Sequence, residues 1–276
     1  MFCFSNFNFV PTGAMAAVLL ATGLNPRDSA EFVATQQLKD FADPIGLGGI
    51  LKGNMFEKIM VNRLKRIKLM NASDDASNIE NMKLEHSLIP VAVTAFDLLT
   101  LQTKTLKKGC MARAARASAC FPILFQPVSW SDDCDDDLED VEEKNGFFSK
   151  LKKSLSFPKY LFIDGGVNDP HGLVGLGSLK PSEKKKRIVN LAVGPFARNG
   201  PLGPSEMPAG LDASAVLSVS VENAPRCGPD KMSNGPRATQ AAMDAVNAVL
   251  DVPMYYGKEE NHFILNIDAT AFIPKE

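Results

Sequence analysis

Apolar residues along this chain fall into two kinds of run. Short continuous runs of branched and aromatic residues are typical of buried strands, whereas longer stretches with apolar residues at helical spacing are typical of helices. The strongest strand patterns lie at 89–95, 160–163 and 187–193, with weaker ones at 1–10, 100–106, 215–221 and 263–267. Helices are predicted at 14–22, 29–41, 55–70, 111–119 and 238–250. Because strands alternate with helices, we predict an α/β sandwich with a mainly parallel central sheet flanked by helices.

The strand predicted at 160–163 ends on a carboxylate. Asp164 follows the apolar run directly, and Gly165 and Gly166 come next. An acid at the end of a buried strand, followed by residues that tolerate unusual backbone angles, is typical of the ligand-binding edge of a sheet. A strand-to-loop turn in which Asp164 caps nearby amide groups explains the same pattern. These residues alone leave both interpretations open.

Composition narrows the class of protein. The 276 residues can form one large domain or two small ones, and a net charge of −2 gives no basic field for binding nucleic acid. The five cysteines include no CxxC pair, which argues against a disulfide framework and a zinc site and favours a reducing compartment. The apolar segment at 14–23 is not preceded by positive residues and is too short to span a bilayer. We therefore expect a cytoplasmic protein without a signal peptide or a transmembrane helix.

Residues 131–157 are interpreted as an insertion. Nine of the twelve residues at 132–143 are acidic, which predicts a solvated loop, and no glycine stands where an EF-hand would need one. Residues 147–157 mix apolar side chains with lysines. This amphipathic stretch either contacts a membrane surface or folds back on the acidic run.

Four stretches, taken in chain order, resemble the patatin-like phospholipases. Residues 12–24, TGAMAAVLLATGL, resemble the helix that follows the nucleophile elbow of that family, and 43–64 resemble the segment that comes next. Residues 90–128 resemble its strand–hairpin–helix unit, and IDGG at 163–166 matches its DGG/DGA motif. The resemblance covers about 12–195. It implies a patatin-like domain over 1–195, with 196–276 as a helix-containing extension of the same domain.

The resemblance implies a serine acyl hydrolase that cleaves the esters of a lipid substrate with a Ser–Asp dyad. Such chemistry needs no metal and no cofactor, and it allows transient contact with a membrane surface. By position Asp164 is the base that deprotonates the serine, Gly165 and Gly166 form its loop, and Gly13 is the last glycine of a G-x-S-x-G elbow. Neither the particular lipid nor the oligomeric state is predicted.

The sequence departs from this pattern at the elbow. If Gly13 is its last glycine, the nucleophile falls on Pro11 and the first glycine on Phe9. Proline has no nucleophilic group and its ring fixes φ, and no glycine-rich oxyanion loop precedes the helix. Ser5 is no substitute, because Phe7 stands where a glycine is needed. Three hypotheses follow: an N-terminally truncated or mis-started lipid acyl hydrolase, an inactive lipid-binding pseudoenzyme, or an unrelated α/β protein.

Other polar residues are weaker candidates. Ser118 lies in a helical pattern without an elbow, and His171 follows Asp164 in a loop, so neither is favoured as a catalytic residue. His86 and His262 lack metal-ligand spacing. Arg113 and Arg116 either pair with acids or serve a site. The glycine-rich stretch at 43–53 lacks the motif of a phosphate-binding loop.

Overall fold

The structure, a computed structural model, describes residues 2–4, 12–71, 82–131, 158–169, 172, 174–175, 186–193, 213–227, 229–250 and 262–274. Its strands are β1 Phe2–Phe4, β2 Gly49–Leu51, β3 Val91–Asp97, β4 Gln102–Leu106, β5 Ile123–Phe125, β6 Val128–Trp130, β7 Tyr160–Asp164, β8 Lys186–Val193, β9 Ala213–Glu222 and β10 His262–Asp268. Its α-helices are α1 Thr12–Ala21, α2 Pro26–Thr35, α3 Asn54–Asn71, α4 Met111–Ser118 and α5 Gly235–Leu250. The predicted α/β class is confirmed.

A five-stranded sheet lies at the centre of the described N-terminal part. Strand β3 pairs with β1, β4 and β7, and β7 pairs in turn with β6. Only the β1–β3 pairing in this sheet is parallel, so the pairing is mixed where we had expected it to be mainly parallel. The turn between β3 and β4 shows why: a connection of a few residues can join only antiparallel neighbours. Parallel pairing recurs in the β8–β9–β10 sheet and between β2 and β5.

The main core forms where helices cover this sheet. Helix α1 is apolar on almost every side, a composition that suits a buried helix, and it packs against α4, α2 and β3. Its side chains from Ala14 to Leu19 are mostly buried. The rings of Phe41, Phe56 and Phe125 meet with centroids 5.5–6.5 Å apart and close one end of the core.

The C-terminal part contacts the N-terminal part through α5. Helix α5 packs against α2, and the backbone of Ala34 lies so close that a Cβ at Gly235 would be 2.2 Å from its carbonyl oxygen. Met232 is buried in the same core as α1 and α4. A smaller cluster of buried apolar residues lies around Val221, Ala245 and Ile267. Among the helices that the structure describes, none has the length and apolar character needed to cross a membrane.

Candidate functional site

Asp164 ends β7 as the sequence predicted. The apolar residues before it form the strand, and Asp164 lies opposite Ala95 of β3 with its side chain buried. Its carboxylate caps the three-residue 3-10 helix that follows, accepting a hydrogen bond of 2.7 Å from the amide of Gly166. Its own amide donates to the carbonyl of Cys120 at 2.9 Å. The capping role that we considered for this carboxylate is therefore present, and the acid is held in one position.

Gly165 is required for space and not for backbone angle. Neither Gly165 nor Gly166 has a positive φ, so the tolerance of unusual backbone angles that we noted for these glycines is not used here. A Cβ on Gly165 would instead lie 2.3 Å from the carbonyl oxygen of Thr94, a separation that real Cβ atoms do not show. The chain after Asp164 thus crosses directly over β3, and only glycine permits this approach.

The strands β1 and β7 approach each other end to end along one edge of β3. Strand β4 pairs with both Val93 and Ala95, so it occupies the other edge. Phe4, the last residue of β1, lies opposite Val93, and Asp164 lies opposite Ala95. Since a strand advances about 3.3 Å per residue, these two strand ends are separated by about 7 Å along β3. The described end of β1 is thereby close to Asp164 along this edge of the sheet.

Thr94 occupies the single position of β3 between these two strand ends. Its side chain is fully buried, and its hydroxyl has no hydrogen-bond partner among the residues that the structure describes. This oxygen would lie 3.0 Å from a Cβ on Gly165, directly below the turn that follows Asp164. Buried hydroxyls are nearly always hydrogen-bonded, so an unpartnered one beside a buried carboxylate is unusual. Sequence reasoning missed Thr94, although a lone hydroxyl in the apolar run VAVTAF was a signal that could have marked it.

Asp97 is a second buried carboxylate in the same sheet, and sequence reasoning missed it too. It accepts hydrogen bonds from the amides of Leu99, Thr100 and Leu161 and from the Thr100 hydroxyl. Burial acts to raise the pKa of Asp97, but these donors outweigh it and lower the pKa below the usual value. The group therefore stays ionised and holds the β3–β4 turn against β7.

Two nucleophilic side chains near the end of α4, Ser118 and Cys120, are poorly suited to act as alternative nucleophiles; of the two, we had considered only Ser118 from the sequence. Ser118 is buried at the end of α4. Cys120 is also buried, and burial raises the pKa of its thiol to about 12, against a lowering by Arg116 and with a further rise from the Asp164 carboxylate. A thiol with such a pKa stays protonated near neutral pH and is a weak nucleophile.

The two arginines of α4 have structural partners. Arg116 forms an ion pair of 3.0 Å with Glu57 and donates to the carbonyl of Lys52, which ties α4 to α3. This confirms the pairing interpretation for Arg116. Arg113 pairs with no acid in the described part of the chain. It donates to the carbonyl of Ser129 at 3.0 Å and lies over the ring of Trp130.

Several predicted features lie outside the described residues, namely Ser5, Phe7, Phe9, Pro11, His171 and the acidic and amphipathic stretches at 132–157. Gly13 is described, and it is buried in the first turn of α1. His86 is exposed. Within the described ranges, no three His, Cys, Asp or Glu side chains lie together as metal ligands do.

The model of one protein family matches more than half of the chain. It is the patatin-like phospholipase model, and it covers residues 11–175. The chain belongs to the patatin-like phospholipase family. The match to this family begins at the first helix and extends past the turn that contains Asp164, Gly165 and Gly166, so it includes α1, the β3–β4 hairpin and α4. No curated protein matches the chain.

Membership of the patatin-like phospholipase family supports a lipid acyl hydrolase and a lipid substrate. The β8–β9–β10 sheet and α5 lie beyond the residues that match the family model. The elements that bring Asp164, Gly165 and Thr94 together all lie within the match.

Proposed function

We propose that this protein is a lipid acyl hydrolase of the patatin type in which Asp164 is the base of a Ser–Asp dyad. The single observation that carries the assignment is the placement of Asp164 about 7 Å along β3 from the end of β1. In a G-x-S-x-G elbow the nucleophile stands on a sharp turn between a strand and a helix. Strand β1 and helix α1 are the described elements before and after the position at which the resemblance places the nucleophile.

The chemistry assigned to Asp164 is proton transfer. A serine hydroxyl attacks the ester carbonyl and its proton passes to the Asp164 carboxylate; the ester C–O bond then breaks, and the alcohol leaves with that proton to give an acyl-serine. Water then releases the fatty acid by the same steps. A base held rigidly by the Gly166 amide and by the backbone of β7 is suited to this role, because the hydroxyl must meet it at a fixed distance.

The sequence contains no G-x-S-x-G motif, and its position 11 is proline. That specific observation favours a second candidate function, a lipid-binding relative without hydrolytic activity. Both candidates share the family and the lipid, and they differ in whether Asp164 meets a nucleophile. The mass and N-terminal peptide of the protein from its native source separate them, because a serine elbow upstream of α1 supports the hydrolase.

A restored elbow tests the role of Asp164 directly. The variant Phe9→Gly/Pro11→Ser places a serine between two glycines, with Gly13 as the second. We expect a fluorophosphonate probe to label position 11 at least about 100-fold faster than in the same variant carrying Asp164→Asn, since a general base contributes about that factor or more. Labelling is read by peptide mass, and hydrolysis of a short-chain nitrophenyl ester is the parallel assay.

The matched control is Phe9→Gly/Pro11→Ala, which changes the same positions without adding a nucleophile. Labelling at position 11 that does not depend on Asp164 would contradict the dyad. A folded Phe9→Gly/Pro11→Ser variant that neither labels nor hydrolyses would favour the lipid-binding candidate.

We also propose that residues 196–276 extend the domain at 1–195. The burial of Met232 in the core with α1, and the packing of α5 on α2, support one continuous unit.

A further inference from the structure

A group of exposed aliphatic side chains lies on the two-stranded sheet of β2 and β5 and on the loop that precedes β2. We call it the apolar tip, and it consists of Ile45, Leu47, Ile50 and Ile123. Their exposed fractions are 82%, 87%, 58% and 76%. Residues 44–51 and 117–130, which contain the tip and its flanks, carry no charged side chain. Exposed aliphatic side chains grouped on one small sheet and its loop, in stretches without charge, mark an interaction site.

The apolar tip is built to hold this shape. Strand β2 pairs with β5, and Gly49 is needed because a Cβ there would lie 2.3 Å from the carbonyl carbon of Phe125. The amide of Leu47 donates to Oε1 of Gln126 at 3.1 Å, and the amide of Gln126 donates to the carbonyl of Leu51 at 2.8 Å. Phe125 anchors β5 in the aromatic cluster with Phe41 and Phe56. The exposed side chains therefore stand on a fixed base.

The backbone of the apolar tip is strained at Ile123. Its φ is +74°, a region that a β-branched residue enters only at a cost, and its side chain points to solvent. Strain of this kind persists where the surrounding structure enforces it, and it is common at ligand-contacting segments. At Ile123 the strain is combined with an aliphatic side chain that has no protein partner to bury it.

The apolar tip adjoins the turn that contains Asp164. The carbonyl of Cys120 accepts the hydrogen bond from the Asp164 amide, and Ile123 follows Cys120 by three residues. Three residues of chain span at most about 11 Å. A surface seated on the tip is therefore close to the acid to which the proposed function assigns ester cleavage.

The size of the tip decides between two kinds of occupant. Four aliphatic side chains present roughly 100 Å² each, or about half of the area of about 800 Å² that one partner contributes to a stable protein interface. A lipid layer needs no such area, because apolar side chains enter it individually. A lipid layer is also the form in which the substrate of a patatin-like phospholipase is presented.

We propose that the apolar tip inserts into the lipid layer that contains the substrate and so places the Asp164 turn at the lipid surface. This inference rests on the proposed function, because the reason for meeting a lipid layer is the ester to be cleaved. It assigns the membrane contact to residues 45–50 and 123, and not to the amphipathic stretch at 147–157.

Vesicle sedimentation tests the inference with the purified chain and vesicles of phosphatidylcholine, alone or mixed with phosphatidylserine. We expect the native chain to bind both, and the partition coefficient of Leu47→Asn/Ile123→Asn to fall about tenfold for each side chain replaced. Asparagine tolerates a positive φ, so Ile123→Asn retains the fold. If the double variant does not unfold cooperatively on heating, Ile45→Asn is the second variant, because Ile45 lies outside both strands of the tip.

Leu88→Asn is the matched control. Leu88 is 74% exposed, like Ile123, but it lies beside Gly23, after the C-terminal end of α1, and belongs neither to the strands of the tip nor to the loop before β2. Its partition coefficient should equal that of the native chain. A native chain that binds neither vesicle would overturn the inference. A double variant that binds vesicles as well as the native chain would also overturn it. So would light scattering that shows a dimer for the native chain and a monomer for the double variant, because the tip would then be a contact between two copies.

Failure of this inference is distinguishable from failure of the proposed function. Vesicle binding needs no ester cleavage, so Asp164→Asn should bind vesicles as the native chain does. If the restored-elbow variant hydrolyses a soluble ester but does not bind vesicles, only the lipid-insertion proposal is contradicted. If the tip mediates vesicle binding but labelling does not depend on Asp164, the lipid-insertion proposal is supported and the Ser–Asp dyad is contradicted.

Discussion

Two buried aspartates end neighbouring strands of the same sheet, and their surroundings differ. Asp97 ends β3 and lies opposite Phe162, whereas Asp164 ends β7 and lies opposite Ala95. Four donors converge on Asp97, three from Leu99 and Thr100 in the turn that follows it and one from Leu161 of β7. Around Asp164 are a glycine with no room for a side chain, an unpartnered threonine hydroxyl and the end of a third strand.

The comparison shows that a carboxylate at a strand end does not by itself indicate a site. The hydrogen bonds of Asp97 account for its burial, because each donor stabilises the ionised form and the set closes a turn. The features around Asp164 include costs that local turn geometry does not require, above all the buried hydroxyl of Thr94. Costs of this kind are concentrated at functional sites.

The substitution with the largest expected effect on the difference between the two aspartates is Gly165→Ala. The new methyl group would meet the carbonyl oxygen of Thr94, so we expect the free energy of unfolding to fall by about 3 kcal/mol. Gly166→Ala is the matched control, with a change below about 1 kcal/mol. Urea denaturation measures both. Equal effects of the two substitutions would mean that the turn moves away from β3 without cost.

Asp97→Asn tests the structural role of the first aspartate. We expect a loss of about 2 kcal/mol in the free energy of unfolding at neutral pH, because an amide nitrogen would face amide donors that now bond to a carboxylate. Asp164→Asn should cost clearly less, since the amide of Gly166 can still bond to the side-chain oxygen.

The loss caused by Asp97→Asn depends on pH in a definite direction. The pKa of Asp97 is lowered in the folded protein, so its stabilisation is present above about pH 4, the pKa of an unfolded aspartate. The stabilisation disappears as the pH falls through the lower folded value. The difference between native chain and variant should therefore shrink at acid pH, and a constant difference would contradict the assignment.

Thr94→Val has the smallest expected effect. It tests most directly whether the surroundings of Asp164 differ from those of Asp97. Removing a buried hydroxyl that has no hydrogen-bond partner in the described part of the chain should stabilise the fold by about 1 kcal/mol. The matched control is Thr22→Val, which removes a hydroxyl that donates to the carbonyl of Leu19 at 2.7 Å and should destabilise by a similar amount. Thermal unfolding measures both. A destabilised Thr94→Val variant would show that the hydroxyl has a partner in solution.

Local pattern predicted most of the fold. The apolar runs placed β3, β7, β8 and α5 close to their observed bounds, since burial on both faces leaves a continuous signal in the sequence. The helix predicted at 29–41 is instead α2, Pro26–Thr35, followed by a 3-10 turn at Leu38–Phe41. Whether two strands pair in parallel or antiparallel was harder to predict from the sequence, because it depends on which strands become neighbours and not on the residues within them.

The sequence by itself determined that the chain has alternating strands and helices, that an acid and two glycines end a buried strand, and which family the chain resembles. These are properties of contiguous residues and their order. Only the tertiary structure decided that Asp97 bonds to Leu161, that β1 ends about 7 Å from Asp164 along β3, and that the amide of Asp164 bonds to Cys120, close to the apolar tip. Asp97 and Leu161 are 64 residues apart in the chain. The packing of the sheet and α4 brings such groups together, and no local pattern records it.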